Sequence, residues 1–525
     1  MVPAESRTPP VLVIALFATI ALVLIFCRSI EENLEVDENV FVASAALLNE
    51  GLLPYRDFHY NHMPSLVIIY AGLFKLGTHL LLIARSFSAL CAAATVTLMF
   101  VVAWRAFAGL APSRRLGFAI GIGALFLFNP LFVYTTGLAW NHDFPLLCCF
   151  AGFLILGQGL AKGPGLLCPI LAGVLVGLAA TSRVTFATAL LPFGVFLLLY
   201  PGIPWRRKLL LVPAFGAGVV LATIPSIWVW MQSPQNAWFG NFVYPSLSTR
   251  YHLEFDVSRK RPFTVGARLL HIFISCFTLP GNGLVVGSFI GLTIATLRVR
   301  QVRIDTRVCE QFAILLLVIV LFTAGFAAAP LQRQYLYAAT PFMILGIVRG
   351  LAAMPHLLAS RRFGRLAVGG LVLIIPFGAV EYDGLLHLGS IRSWTPVQIH
   401  EVGVRIAAES PPGRIMTIEP VYALEGGRAI YPELATGRFG IRAGQYLSEA
   451  QQAQYRMPGR GDLVDLFDTN PPAAVFIGAA DGRIENELSN RARAGGYTPV
   501  DFPDVGTLWT AIPKPSTGTS EPLPP

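Results

Sequence analysis

About eleven apolar runs, each close to the length of a bilayer span and almost empty of acidic side chains, constrain this chain more than any motif in it. They lie near residues 11–27, 79–103, 116–133, 145–161, 165–181, 184–200, 209–230, 280–297, 309–329, 335–355 and 366–381. A helix crossing lipid needs about 20 mostly apolar residues, and its backbone groups must be satisfied within the helix itself. The expected fold class is therefore a polytopic α-helical membrane protein with about 11 spans. Composition agrees: 54% of the 525 residues are hydrophobic and only 13% are charged, against about a quarter charged in soluble domains. The run 64–77 is too short to cross and is bounded by Pro64 and Gly77, so an interfacial helix is expected there. No small-x-small cleavage site follows the first run, which reads as a retained helix rather than a signal peptide.

The formal net charge is +9, but the basic residues fall in short clusters between apolar runs, which argues against a nucleic-acid partner. With the N-terminus inside, the cytoplasmic loops carry Arg105, Arg114, Arg115, Lys162, Arg206, Arg207 and Lys208. They continue with Arg298, Arg300, Arg303, Arg307, Arg361, Arg362 and Arg365, and the lone acid among these clusters is Asp305. That asymmetry orients a membrane protein and places the C-terminus outside. Seven cysteines lie in or beside apolar runs, none with zinc-type C-x-x-C spacing; they read as small buried hydrophobes.

From about residue 382 the composition turns soluble. Residues 395–409 have helical periodicity, 414–419, 474–478 and 507–512 read as short strands, and "GRIENELSNRARAGG" reads as another helix. The expected organisation is a membrane domain over 1–381, with a first outer loop at 28–78 that holds interfacial helices. A small extracytoplasmic α/β domain follows over 382–513. The tail 514–525 is too rich in Pro and Ser to fold. No internal repeat of the transporter kind is evident.

Five carboxylates crowd the stretch "EENLEVDENVF" (31–41), hard against the first span. If helical, Glu31, Glu35 and Glu38 share a face, and Asp37 falls off it. Asp37 suits a helix N-cap, and Glu38 suits the N-terminal dipole end. Asp143, in "GLAWNHDFPLL", suits an N-cap before Phe144 and Pro145. Yet an acid at a membrane boundary is also a functional-site candidate, and capping does not exclude function.

The run "VDENVFVASAALLNEGLLPYRDFHYNHMPSLVIIYAGLFKLG" followed by "ARSFSAL", together with "LAGVLVGLAATSR" and "LQRQYLYAATPF", resembles the GT-C glycosyltransferases. The likeness is to the glycosyltransferase 39 class, with the protein O-mannosyltransferases and the aminoarabinose transferases of lipid A, and covers roughly residues 11–350. It implies an enzyme that moves a sugar from a polyprenyl-phosphate carrier to an extracytoplasmic acceptor, which could be an envelope glycan, a lipid or a protein. Asp37 would be the general base, with Asp143 sharing or orienting and Glu38 beside them. Displacement would be direct, with inversion.

The leaving lipid phosphate needs cations or donors. Outer-side candidates are Arg56, Arg85, His59, His62, Arg183, Arg250, Arg259, Lys260, Arg261 and Arg333; the resemblance favours Arg333 in "LQRQYLY". Tyr55, His142 and Tyr335 complete the candidate binding set. Relatives place Lys or Arg before the Pro-led interfacial helix, where this chain has His62. His59, His62, His142 and the two aspartates could also hold a divalent cation, although His59-x-x-His62 is a poor helical spacing. In the loop 235–263, Trp238 and Phe239 read as an interfacial belt, while Tyr244 and Arg250 stay open. The alternative reading is a transporter or flippase for a lipid-linked envelope precursor; acids at the outer edge rather than at mid-span argue against it. Arginine outnumbers lysine, and the expected location is a bacterial inner membrane.

Overall fold

The computed structural model describes residues 9–163, 165–255, 263–298, 305–459, 461–478 and 482–511. Arg259, Lys260, Arg261, Arg300, Arg303 and the tail 514–525 lie outside the described residues.

The first part of the chain is helical throughout. In order it forms α1 (Val11–Glu31), α2 (Val36–Asn49), α3 (Ser65–Leu73), α4 (Leu80–Ala106), α5 (Pro112–Leu127), α6 (Pro130–Thr135), α7 (Asp143–Lys162) and α8 (Leu167–Ser182). Next come α9 (Leu190–Leu199), α10 (Trp205–Met231), α11 (Pro234–Trp238), α12 (Tyr244–Phe255), α13 (Val265–Phe273) and α14 (Pro280–Arg298). Then follow α15 (Thr306–Ala327), α16 (Thr340–Ala353), α17 (Pro355–Ala359) and α18 (Arg361–Ala379). Among the described residues, eight helical stretches are long and apolar enough to cross a membrane: α1, α4, α7, α10, α14, α15, Arg333–Ala353 and Arg361–Leu386. The other three apolar runs are also helical but shorter, at α5, at α8, and at the 3₁₀ turn Val184–Ala189 continuing into α9.

Small residues set how closely these helices pack. A Cβ on Gly173 of α8 would lie 2.0 Å from the carbonyl oxygen of Phe215 on α10, and one on Gly218 would lie 2.1 Å from that of Ile170. In lipid, where hydrophobicity does not drive helix association, such backbone approach is a main source of stability. It fixes the end of α8, and so the position of Arg183 just beyond it.

The C-terminal part begins with α19 (Thr395–Glu409), as the periodicity predicts. It holds a four-stranded sheet of β1 (Ile415–Met416), β2 (Ala474–Gly478), β3 (Thr498–Phe502) and β4 (Gly506–Thr510), in the order β1-β2-β4-β3. β1 runs parallel to β2; β4 pairs antiparallel with both β2 and β3. The strand expected over 414–419 is only two residues long, and β3 goes unrecognised in the sequence. Its pattern is mostly exposed, and Pro499 marks it as an edge strand. Helices α20 (Pro420–Glu425), α21 (Arg438–Gly444), α22 (Glu449–Tyr455), α23 (Asp462–Thr469) and α24 (Arg483–Ala494) complete the region.

This region does not keep its core to itself. One apolar cluster joins Phe41, Tyr60 and Leu66 of the first outer loop to Ile406, Phe476 and Leu508. Phe239 stacks on Tyr455 at 3.8 Å and is buried, so it is an interface residue rather than part of a membrane belt; Trp238 is exposed.

Candidate active site

The acidic stretch is not one helix. α1 ends at Glu31 and α2 starts at Val36, so the three glutamates that a continuous helix would align go to separate tasks. Glu31 pairs with His387 at 2.7 Å. Glu35 is the N-cap of α2 in a reciprocal capping box with Glu38, whose Oε2 accepts the Glu35 N–H at 3.0 Å. The N-cap is therefore Glu35, not Asp37: a capping box needs its acidic partner three residues on, and Glu38 supplies it. This leaves Asp37 in the first turn with its carboxylate uncommitted. Among the described residues it has no hydrogen-bond or ion-pair partner.

Asp37 is half-buried and faces a cavity of about 500 Å³. Burial raises its pKa to about 6, with Glu35 and Glu38 pushing the same way and Arg183 and Arg442 opposing. At neutral pH it is mostly ionised, yet holds its proton more tightly than an exposed aspartate.

Glu38, one residue on, points into protein. Its Oε1 and Oε2 receive Nε and Nη2 of Arg85 at 2.8 and 2.6 Å, and both side chains are fully buried. Oε1 also accepts the Ala139 N–H at 2.7 Å. Arg85 spends its other donors on the carbonyls of Ser29, Glu32 and Asn33, at 2.6–2.9 Å. The pair thus ties the α1–α2 link to the segment before α7.

Asp143 closes that segment. It is the first residue of α7, with His142 as N-cap. Its Oδ2 accepts the Gly137 N–H at 2.9 Å and its Oδ1 accepts the Tyr337 hydroxyl at 3.4 Å. It is 1% exposed and does not line the cavity, whereas its contacts His142 and Tyr337 do.

The cationic side of the cavity is Arg183. Its Nη1 lies 2.7 and 2.8 Å from the ring nitrogens of His142 and 3.5 Å from Asn141 Oδ1, and the guanidinium covers the Tyr335 ring at 5.2 Å. A second arginine comes from the C-terminal region: Arg442 of α21 lines the cavity and stands over the Tyr251 ring at 5.4 Å. Tyr244 and Asn241 enter from the π-helical turn Phe239–Val243 and its exit. That turn presses so hard on the outer loop that a Cβ on Gly240 would sit 2.1 Å from the Tyr60 carbonyl oxygen. His62 stacks on Phe41 at 4.9 Å; burial first, then Arg183, holds its pKa down to about 3, so it is neutral.

Solved structures share this arrangement of helices and sheet. ArnT from Cupriavidus metallidurans, bound to undecaprenyl phosphate, matches with a TM-score of 0.60 over 96% of this chain and 99% of its own, at 15% identity. The mycobacterial arabinofuranosyltransferase AftD matches at 0.55 over 97% of this chain and 40% of its own, at 16% identity. The Archaeoglobus fulgidus oligosaccharyltransferase in its apo form matches at 0.53 over 89% of this chain and 69% of its own, at 10% identity. All three are GT-C glycosyltransferases. The chain has a GT-C fold. No family model matches the sequence, and no curated protein matches it.

Within the GT-C fold, the cavity gathers Asp37, His62, His142, Arg183, Tyr244 and Tyr335 from the residues singled out in the sequence. The remaining described ones stand behind or outside it. Glu38, Arg85 and Asp143 are buried in the framework. Tyr55, at φ +68°, is buried and donates its hydroxyl to the His62 carbonyl. Arg56 is exposed and paired with Asp57 at 2.7 Å. Arg333 is exposed, with its guanidinium 5.9 Å from the ring of Tyr134, a lining residue. Arg250 is exposed and paired with Glu254. His59 is buried between Phe239 and Tyr244. Among the described residues no three His, Cys, Asp or Glu side chains converge on a metal position. Arg442 is the cavity residue that the sequence hides. It lies two residues past the Gly-rich stretch 425–440, with no periodicity or motif to mark it.

Proposed function

We propose that this chain is a membrane glycosyltransferase that moves a sugar from a polyprenyl-phosphate carrier to an extracytoplasmic acceptor, with Asp37 as general base. The observation that carries this reading is the uncommitted Asp37 carboxylate facing Arg183 and Arg442 in one cavity. The fold supports it, because ArnT has been solved with undecaprenyl phosphate.

In this mechanism Asp37 takes the proton of an acceptor hydroxyl, whose oxygen attacks the anomeric carbon. The bond from that carbon to the carrier phosphate breaks, the phosphate leaves with the electron pair, and configuration inverts. No enzyme nucleophile is required. Arg183 and Arg442 meet the growing phosphate charge inside a site where such interactions are strong. Asp143 and Glu38 act as positioning residues, one through Tyr337 and the other through Arg85. The chain would sit in a bacterial inner membrane with its N-terminus cytoplasmic and the cavity outside. A membrane domain over 1–381 would carry an extracytoplasmic domain over 382–513.

The test is to reconstitute the full chain in liposomes with a panel of polyprenyl-phosphate sugars and a cell-envelope extract as acceptor, and to follow released polyprenyl phosphate by mass spectrometry. Release that needs Asp37 supports the reading. A sugar lipid that crosses the bilayer uncleaved replaces it with the transporter reading.

A further inference from the structure

A second and larger cavity, of about 950 Å³, lies along α5. Its walls are α5, α14, α16 and α18, and its lining is almost wholly apolar, with no carboxylate. Three arginines stand at one end only: Arg114 at the start of α5, and Arg361 and Arg365 at the start of α18. All three are exposed. Arg114 spends one donor on the Ala359 carbonyl at 2.9 Å. The N-termini of α5 and α18 open to this same end, so the helix dipoles add to the positive field.

The depth of the slot carries the argument further. From Arg114 to Leu125 on α5, and from Arg361 to Leu371 on α18, the lining runs ten or eleven residues. At a helical rise of about 1.5 Å per residue this is roughly 15–16 Å, half of a hydrocarbon core about 30 Å thick. The slot is one leaflet deep with cations at its mouth. Two glycines keep it open: a Cβ on Gly117 or Gly364 would meet nothing within 4 Å.

We propose that this slot binds one anionic glycerophospholipid, with its phosphate on Arg114, Arg361 and Arg365 and its acyl chains along α5 and α18. Positive charge without a partner carboxylate among the described residues selects an anionic headgroup over a zwitterionic one, and basic pockets between membrane helices take such headgroups. A long polyprenyl tail does not fit a slot one leaflet deep. α18, with 11% of its most apolar window buried in protein, gains its packing partner from the lipid.

The experiment is native mass spectrometry of the full chain in detergent, offered equal phosphatidylglycerol and phosphatidylethanolamine. Wild type is expected to retain one phosphatidylglycerol in preference, at about fivefold per arginine. Arg361→Ala with Arg365→Ala should cut the preference by about 25-fold, leaving only that of Arg114. Gly117→Leu with Gly364→Leu, which fills the slot and leaves the arginines in place, should lose the lipid itself. Melting in lipid-free detergent should match wild type in both. Equal retention of the two lipids by wild type, or undiminished retention by the filled slot, overturns the proposal. So does displacement by undecaprenyl phosphate, or an equal loss in Arg206→Ala with Arg207→Ala, a basic cluster outside the slot.

Discussion

Asp37 and Glu38 are neighbours in sequence, sit in the same helical turn, and live in opposite surroundings. Asp37 opens on a cavity with two arginines near and, among the described residues, no bond of its own. Glu38 turns inward to a fully buried arginine that grips it with two donors. In one the folded chain keeps a charge available; in the other it uses a charge to fasten three segments together. The difference teaches that an acidic pair at a membrane edge divides by direction: the helix rotates about 100° per residue, so adjacent acids cannot face the same thing.

Substitutions can break that contrast. Asp37→Asn should lower the transfer rate by about 100- to 10,000-fold, as for loss of a general base. Because burial raises the folded-state pKa, ionising Asp37 costs the folded state above about pH 6 and nothing below the unfolded pKa. The Asn variant should therefore melt about 1–2 °C higher at pH 7.5, and a lower melting point would remove the contrast. Glu38→Gln should act the other way, destabilising the fold by about 3–5 kcal/mol because Arg85 is left charged and unpaired; a lower melting point with a far smaller loss of transfer than in Asp37→Asn is the expected pattern. Replacing both partners, with Glu38→Gln and Arg85→Met, should cost less than the two single changes summed. Arg183→Lys should weaken transfer by about tenfold through the lost planar fork, and Arg442→Ala should do less and chiefly in KM. The finest test is the pH profile. The rate should rise through a pKa near 6, and Glu35→Gln, by removing a neighbouring negative charge, should move that limb a few tenths of a unit lower.

The membrane part was legible because lipid imposes its rules on every residue of a span. Each of the eleven apolar runs falls on helix, eight on stretches long enough to span and three on shorter ones, and the run 116–133 crosses the break between α5 and α6. The C-terminal region was read less well: β1 is held by pairing with a strand 59 positions later, and β3 by an edge contact, neither of which leaves a local pattern. At the site, Asp37 stood out for its place in the chain, but its freedom depends on Glu35 taking the cap, which only the break between α1 and α2 decides. Asp143 and Arg85 carried the same family resemblance and lie buried behind the cavity, since resemblance marks a position without saying which way its side chain turns. Arg442 was invisible, because the cavity it enters is built by residues 259 and 405 positions before it.

One further contact sets a timetable. The first turn of α4 is closed by Glu425, whose Oε1 accepts the Leu81 N–H at 2.7 Å across 344 residues. At a synthesis rate of about 5–20 residues per second, that cap arrives roughly 17–70 s after the residue it completes. Until then the outer loop lacks the part of its apolar cluster that residues from Ile399 onward supply, and the cavity lacks Phe439 and Arg442.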